Sequence, residues 1–224
     1  MKRPRVSQPM KIFSVANHFT QPPATDNYAE ADNKQPFYSF TTSEPVVQTL
    51  PETAMLKDGR PFFIPDYADP CSVRPALVLR ISRLGRYVSE RFARRYYDAV
   101  TVGAAFCADR LFERCRRDGL PWDMAIGFDS SAVVGSFVPL SDGKPFVCPD
   151  FSMNVGNKTL TIAGNEANLP FSPEAVLAHV SQYSMLRRGD LLFYVLPATP
   201  VVVSPDVHIE GFVDGERLLN FNVK

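Results

Sequence analysis

Few residues of this sequence have the types and the spacing that catalysis or metal binding requires. The four cysteines include no C-x-x-C pair, and no histidine stands beside them at the spacing of a zinc ligand. The sequence has neither a glycine-rich phosphate loop nor a G-x-S-x-G motif, so a serine hydrolase is not supported. Of the three histidines, His179 is predicted to pack within a helix and His208 to be an exposed strand residue.

The charge balance argues against some classes of partner. The 224 residues carry 24 basic and 24 acidic side chains, whereas nucleic-acid-binding proteins usually show a clear basic excess. Between Arg74 and Arg117 eleven arginines stand against four acids, which indicates either solvated helix faces or an anion-friendly rim. No apolar run approaches the roughly 18 residues of a membrane helix. We therefore expect no nucleic-acid or membrane partner.

The cysteines and the N-terminus bear on the compartment. The unpaired cysteines favour a reducing, cytoplasmic environment. The N-terminus is basic, but no apolar segment follows it, so a secretory signal is not expected.

The apolar pattern predicts mostly strands with a few short helices, an α+β chain. Strands are predicted over 10–15, 61–65, 76–82 and 98–106, and hairpins over 152–162 and 207–223. One short helix is predicted to follow Ser89, a second to contain Cys107 and Cys115 and to stop at Gly119, and a third to run from Ser172 to residues 187–189. Residues 1–9 are expected to form a tail, residues 10–224 one domain, and residues 20–44, rich in Pro, Thr, Asn, Asp and Gln, a mobile loop.

A series of short phrases resembles the small, single-domain members of the fumarylacetoacetate hydrolase family, and the phrases keep their order along the chain. They are MKIFSV at 10–15, TAMLKDG at 53–59, LRISRLG at 79–85, FARRYYD at 92–98, GLPW at 119–122, FDSSAVVG at 128–135, GDLLF at 189–193 and EGFV at 210–213. The resemblance implies a mixed β-sandwich roll, like the C-terminal domain of that family, and a homodimer. It also implies chemistry on 2-oxo acids, in which Mg²⁺ or Mn²⁺ held by three carboxylates stabilises an enolate.

At the positions that match the metal site of the family, the acidic residues are missing. The family's Glu-x-Glu pair falls on Arg74 and Ala76, and its third ligand, an Asp, falls on Ala105. Its other polar positions fall on residues that cannot replace them, with Ser72 for a histidine, Ile126 for a lysine and Leu196 for a threonine. The sequence thus predicts that no metal cofactor is bound.

Three residues could give this altered site some chemistry of its own. Arg74 would repel a divalent cation, and it could instead bind a substrate-like carboxylate or pair with a local acid. Asp109 follows Ala105 by one helical turn and could, with Asp69, rebuild a weak site. His18 falls at the expected pocket mouth, where it could be an acid–base group in a lid-like loop.

The resemblance and the losses together favour a non-catalytic family member, a pseudoenzyme or a binder of small carboxylates. The alternative is an active hydrolase or isomerase of 2-oxo acids, of the acylpyruvate hydrolase or oxaloacetate decarboxylase type, with a remodelled site. A third hypothesis is a ligand-binding or regulatory module with unrelated partners.

Overall fold

The computed structural model describes residues 10–16, 44–57, 59–141, 144–164, 169, 171–196 and 198–224. The strands are β1 (Ile12–Ala16), β2 (Val47–Leu50), β3 (Met55–Lys57), β4 (Cys71–Ile81), β5 (Tyr97–Ala108), β6 (Ala132–Val134), β7 (Val138–Pro139), β8 (Phe151–Val155), β9 (Lys158–Ile162), β10 (Leu191–Val195), β11 (Val201–Val203), β12 (His208–Val213) and β13 (Glu216–Asn222). The helices are α1 (Glu90–Ala93), α2 (Asp109–Arg117), α3 (Asp123–Ile126) and α4 (Pro173–Tyr183). The prediction of a mostly β chain with a few short helices is confirmed.

Two sheets form the body of the fold. The larger is mixed, with the strand order β2-β1-β10-β4-β5-β6-β3, and β11 and β7 pair with β4 and β5 respectively. The smaller is antiparallel, with the order β13-β12-β8-β9. Gly211 of β12 lies so close to Val102 of β5 that a Cβ atom on the glycine would come within 2.8 Å of it. The two sheets therefore pack closely against each other at β5.

Alternation along β5 divides its side chains between two environments. Val102, Ala104 and Phe106 point into the main core, which also contains Phe151 of β8 and Phe221 of β13. Successive side chains of a strand point to opposite faces, so the residues between them point away from the smaller sheet. This second face of β5 is continuous with the second face of β4, because the two strands pair in antiparallel register over their whole length.

Strand β4 begins earlier than the sequence predicted. The predicted strand starts at Ala76, after Pro75, whereas the observed strand begins at Cys71 and runs through the proline. Proline lacks the backbone N–H that a central strand needs. Here β10 ends opposite Ala76 and β11 begins opposite Val73, so Pro75 lies in the gap between two neighbours and only accepts a hydrogen bond, from the N–H of Leu196 at 2.9 Å.

Other predicted elements are confirmed or corrected in the same way. Both hairpins are present, β8–β9 and β12–β13, and the Ser172 hydroxyl caps α4 by accepting the N–H of Ala175 at 3.1 Å. The segment over 61–65 does not form the predicted strand, since its pairing is limited to a bridge between Phe62 and Val223 and a hydrogen bond of 2.9 Å from the Ile64 N–H to the Lys224 carbonyl. The third predicted helix is too long, because α4 ends at Tyr183, and a bridge from Leu186 to Gly85 and a turn at residues 188–189 follow before β10.

Some predictions fall on residues beyond these ranges. His18, the tail of residues 1–9 and most of the loop over 20–44 lie outside the described residues. Within the described ranges, no helix combines the length and the apolar character that crossing a bilayer would require.

Candidate functional site

The residues at the altered positions lie on one face of the β4–β5 pair, the face turned away from the smaller sheet. The register places Ser72 opposite Cys107, Arg74 opposite Ala105, and Ala76 opposite Gly103. Residues directly opposite in an antiparallel pair share a face, so these six positions form three consecutive cross-strand steps. The face is polar at the Ser72 end and apolar at the Ala76 end.

The apolar end is packed as hydrophobic core. Ala76 is fully buried and belongs to a cluster with Val78, Val134 and Phe193, against which Ala105 and Ile126 also pack. Gly103 admits this packing, because a Cβ atom there would come within 2.8 Å of Val78 and 2.9 Å of Phe193. The positions that match two family carboxylates and the family lysine thus hold hydrocarbon groups in mutual contact.

The polar end is organised around Asp109, the first residue of α2. The Ser72 hydroxyl, 1% exposed, donates a hydrogen bond of 2.6 Å to the Asp109 carboxyl, and the Cys107 thiol donates to the same carboxyl. Burial raises the pKa of Asp109, and the two hydrogen bonds and the Arg74 guanidinium oppose that rise. Since desolvation penalises a charged carboxyl, this aspartate takes up a proton more readily than an exposed one.

Arg74 connects the polar and apolar ends. Burial lowers the pKa of its guanidinium, while the electrostatic interactions with Cys107 and with the carboxyl of Asp109 act in the opposite direction. Arginine keeps its charge under these conditions because its ordinary pKa lies far above neutrality. The site therefore contains a fixed organic cation whose charge is compensated in part by the carboxyl of Asp109. The sequence leaves open whether Arg74 binds a substrate-like carboxylate or pairs with a local acid, and Asp109 is an acid that acts on it here.

The Cys107 thiol is the third member of the cluster. Burial and the neighbouring Asp109 raise its pKa well above the ordinary value, although the Arg74 charge opposes this. A thiol in this state is a hydrogen-bond donor rather than a nucleophile, because nucleophilic attack requires the thiolate. Cys107 therefore completes the hydrogen bonding of Asp109 and offers no activated sulfur.

The donor set does not fit Mg²⁺ or Mn²⁺. These ions require several oxygen ligands, usually with more than one carboxylate, whereas the polar end of this face presents one carboxyl, one hydroxyl, one thiol and the Arg74 guanidinium. Across the part of the chain that the structure describes, no group of three or more His, Cys, Asp and Glu side chains could hold a metal ion. The guanidinium of Arg74 adds electrostatic repulsion at the centre of the face.

The remaining predicted positions separate into two groups. Leu196 is 1% exposed and packs into the main core, so it contributes no polar group. Asp69 is exposed in the segment before β4 and is not among the charges that shift the pKa of Asp109. A rebuilt site from Asp69 and Asp109 therefore has no support. His18 lies outside the described residues.

The sequence predicts that Asp109 shares a face with Ala105 because of helical spacing, and this reason is wrong. Ala105 and Cys107 belong to β5, and the helix begins only at Asp109, so no helical turn connects them. Strand alternation places Ala105 and Cys107 on one side, and the hydrogen bond from Ser72, which lies opposite Cys107, shows that Asp109 lies on the same side. The role of Cys107 was missed, because it was assigned to the helix. The spacing of two between these residues was the signal that could have revealed it.

A comparison with protein families identifies the relationship. Residues 11–198 match the family described as fumarylacetoacetate (FAA) hydrolase, C-terminal. The mitochondrial oxaloacetate tautomerase FAHD1 of Mus musculus is 30% identical over 208 residues, which cover 88% of this chain and 88% of the mouse protein. The oxaloacetate tautomerase YcgM of Escherichia coli is 25% identical over 175 residues, or 75% of each chain.

Solved structures agree on the fold. The fumarylpyruvate hydrolase of Pseudomonas aeruginosa, solved in complex with Mn²⁺ and pyruvate, superposes with a TM-score of 0.76 at 21% identity, over 95% of this chain and 88% of that one. The 2-hydroxyhepta-2,4-diene-1,7-dioate isomerase of Mycobacterium marinum superposes with a TM-score of 0.74 at 20% identity, over 95% and 73% of the two chains. The predicted β-sandwich roll is confirmed by these superpositions.

Proposed function

Because this chain belongs to the fumarylacetoacetate hydrolase family, we propose that it is a member without the metal-dependent chemistry implied for that family, a pseudoenzyme whose former centre is a closed charge cluster. One observation carries the proposal: Arg74 lies opposite Ala105 on the face that Ala76 shares, and its guanidinium interacts with Asp109. A positive group stands where the resemblance expects the ligands of a positive ion.

Electrostatics supports this proposal more strongly than the loss of any one residue. A divalent cation beside a half-buried guanidinium would meet like-charge repulsion that the medium screens poorly. Among the described residues, Asp109 supplies the one carboxyl at the polar end of this face, and Ser72, Cys107 and Arg74 already interact with it. Binding of a metal to Asp109 would have to break these contacts, and no second carboxylate of the described polar end would compensate.

The cluster also has a structural role. Asp109 joins the first turn of α2 to β4 through the Ser72 hydroxyl, and its backbone N–H donates to the carbonyl of Pro70 at 3.1 Å. Removing one member of such a half-buried network leaves the other groups without compensation, which is costly. In this proposal the cluster stabilises the junction between β4, β5 and α2 and has no catalytic role.

Turnover of oxaloacetate is the direct test. The keto–enol interconversion and the decarboxylation would be followed by the absorbance of the enol, with and without Mg²⁺ or Mn²⁺, beside the E. coli tautomerase as a positive control. The proposal expects rates equal to those of buffer containing the same metal. Saturable, protein-dependent turnover that requires the metal would overturn it.

A second candidate function is an active 2-oxo acid enzyme with a remodelled, metal-independent site. Two observations favour it: the names of the relatives that are tautomerases, and the raised pKa of Asp109 beside a cationic side chain. In this scheme Arg74 binds the substrate carboxylate, and Asp109 takes a proton from the carbon next to the keto group and returns it to the keto oxygen. A group with a raised pKa suits such a transfer.

Two substitutions separate this candidate from the pseudoenzyme. Turnover without added metal that is lost in Asp109→Asn, and that shows a raised KM in Arg74→Met, would establish the second candidate. A third variant, Cys107→Ser, keeps a donor to Asp109 and serves as the matched control. Equal, buffer-like rates in all four proteins are expected if the protein is a pseudoenzyme.

A further inference from the structure

A surface remote from the altered site combines arginines with exposed apolar side chains. It is formed by the segment between β4 and α1, by α1 and the turn that follows it, and by the end of α4 with the segment after it. We call it the arginine–aromatic patch, and its members are Arg83, Leu84, Arg86, Tyr87, Arg91, Phe92, Arg95, Tyr183, Met185 and Arg188.

Backbone hydrogen bonds hold the segments of the patch together. The N–H of Tyr87 donates to the carbonyl of Ser181 at 3.0 Å, and the N–H of Val88 donates to the Ser181 hydroxyl at 2.8 Å. Gly85 and Leu186 exchange N–H to carbonyl bonds of 3.1 and 2.8 Å. These hydrogen bonds fix the segments of the patch relative to one another, so that a partner could contact them at the same time.

The apolar members of the patch are unusually exposed for their type. Tyr87 and Tyr183 are each 71% exposed, Leu84 is 66% exposed, Phe92 40% and Met185 39%. Single exposed apolar residues are ordinary, whereas contiguous ones rimmed by charged groups are typical of interaction surfaces. Tyrosine, phenylalanine, methionine and arginine are also the residue types enriched in protein interfaces.

The charge of the patch is strongly unbalanced. Within the described segments that form the patch, five exposed arginines, Arg83, Arg86, Arg91, Arg95 and Arg188, stand beside one exposed acid, Glu90. The ion pairs recorded among the described residues involve other groups, such as Arg80 with Asp98 and Arg217 with Glu210. This imbalance is local, because the whole sequence has a formal net charge of zero.

Three of the five arginines of the patch are already oriented by aromatic rings. The guanidinium of Arg86 lies 5.1 Å from the ring centroid of Tyr87, and those of Arg91 and Arg95 lie 4.4 and 5.2 Å from that of Phe92. A guanidinium held over a ring keeps its in-plane N–H donors available for carboxylates. Binding an anion then costs less side-chain entropy than it would with free arginines.

From this composition we propose that the arginine–aromatic patch binds an acidic segment of another protein, one that carries apolar side chains among its carboxylates. The carboxylates pair with the stacked guanidinium groups, and the apolar side chains cover Leu84, Tyr87 and Tyr183. A second copy of this chain docking through the same patch would bring five arginines against five, and such like-charge contacts are unfavourable.

The test measures binding of a labelled peptide in which glutamates alternate with leucines, by fluorescence anisotropy on the full-length protein. The binding variant is Arg86→Glu/Arg91→Glu/Arg95→Glu. The matched control is Arg110→Glu/Arg114→Glu/Arg117→Glu, which changes the net charge equally on exposed positions of α2. We expect the patch variant to weaken binding at least about tenfold and the control less than about twofold.

Further measurements distinguish between the possible partners. The peptide with leucine replaced by serine should bind more weakly, and Tyr87→Ala/Tyr183→Ala should remove that difference. Equal losses in the patch and control variants would overturn the proposal, since they would show unspecific attraction. Binding to phosphatidylserine vesicles without binding to the peptide would overturn the proposal and indicate a membrane surface. A wild-type protein that is dimeric while the patch variant is monomeric would also overturn it and indicate that a second copy of the chain binds the patch.

Discussion

Arg74 and Asp109 each favour the charged state of the other. Burial lowers the pKa of Arg74 and raises that of Asp109, and the opposite charge acts against the shift in both cases. The pair lies on the face of β4 and β5 where the resemblance expects metal-binding carboxylates. The guanidinium of Arg74, with Asp109 as its counter-charge, thus occupies the region where the resemblance expects a divalent metal ion.

The coupling of this pair should be measurable in a double-mutant cycle with Arg74→Met and Asp109→Asn. We expect a coupling energy of about 1–3 kcal/mol in the free energy of unfolding, because the charges are half-buried and share hydrogen-bonded neighbours. Arg80 and Asp98 supply the control, since they form an ion pair of 2.9 Å with side chains 42% and 41% exposed. That pair should couple by less than about 1 kcal/mol in urea denaturation. Equal coupling energies for the two pairs would contradict the account.

The stability of the protein should depend on pH through Asp109. Its folded pKa is raised by burial, so between the ordinary aspartate value of about 4 and the raised value the folded state binds more protons than the unfolded one. Stability relative to Asp109→Asn should therefore decline as the pH rises through that window. Urea midpoints for both proteins across the acidic range would check this, and a rising difference would show that Asp109 is stabilised as a carboxylate.

The register of β4 and β5 shows why the sequence alone identifies the altered positions but does not predict how their side chains contact one another. The absence of carboxylates at residues 74, 76 and 105 was visible in the aligned phrases. The contact of Asp109 with Ser72 is not visible there, because it depends on where β5 ends and α2 begins, and the helical spacing of the sequence extends the predicted helix back to Cys107. Boundaries of elements are set by long-range packing, which a local pattern does not contain.

Turns and caps were easier to predict than strand ends. The hairpins turning at Gly156 and at Asp214–Gly215, and the cap at Ser172, depend on local conformations that a few residue types favour. The start of β4 was misplaced because proline ordinarily interrupts a central strand, and the gap between β10 and β11 that tolerates Pro75 is a tertiary feature. Of the arginine–aromatic patch, the sequence shows only the local excess of arginine and not the exposed apolar side chains.

Asp190 should be a major determinant of stability. Its carboxyl, 1% exposed, accepts the backbone N–H groups of Lys11 at 3.0 Å and Arg187 at 2.8 Å, and it lies 3.3 Å from the Lys11 ammonium. Asp190→Ala leaves these buried donors without an acceptor at the junction of β1 and β10, and we expect a loss of about 3–5 kcal/mol. Asp206→Ala, at an exposed pair with Lys224, should cost less than about 1 kcal/mol. Thermal or urea unfolding of both variants would show the contrast, and similar losses would refute it.

Binding of Mn²⁺, measured by the electron paramagnetic resonance signal of the free aqueous ion, tests the central claim most directly. With the wild-type protein in excess, the account predicts that the free-ion signal is undiminished. The variant Arg74→Glu/Ala76→Glu/Ala105→Asp, which supplies three carboxylates on the same face, should reduce the signal and gain thermal stability with added Mn²⁺. Stoichiometric loss of the signal with the wild-type protein, sensitive to Asp109→Asn, would contradict the claim that a fixed guanidinium has replaced the metal.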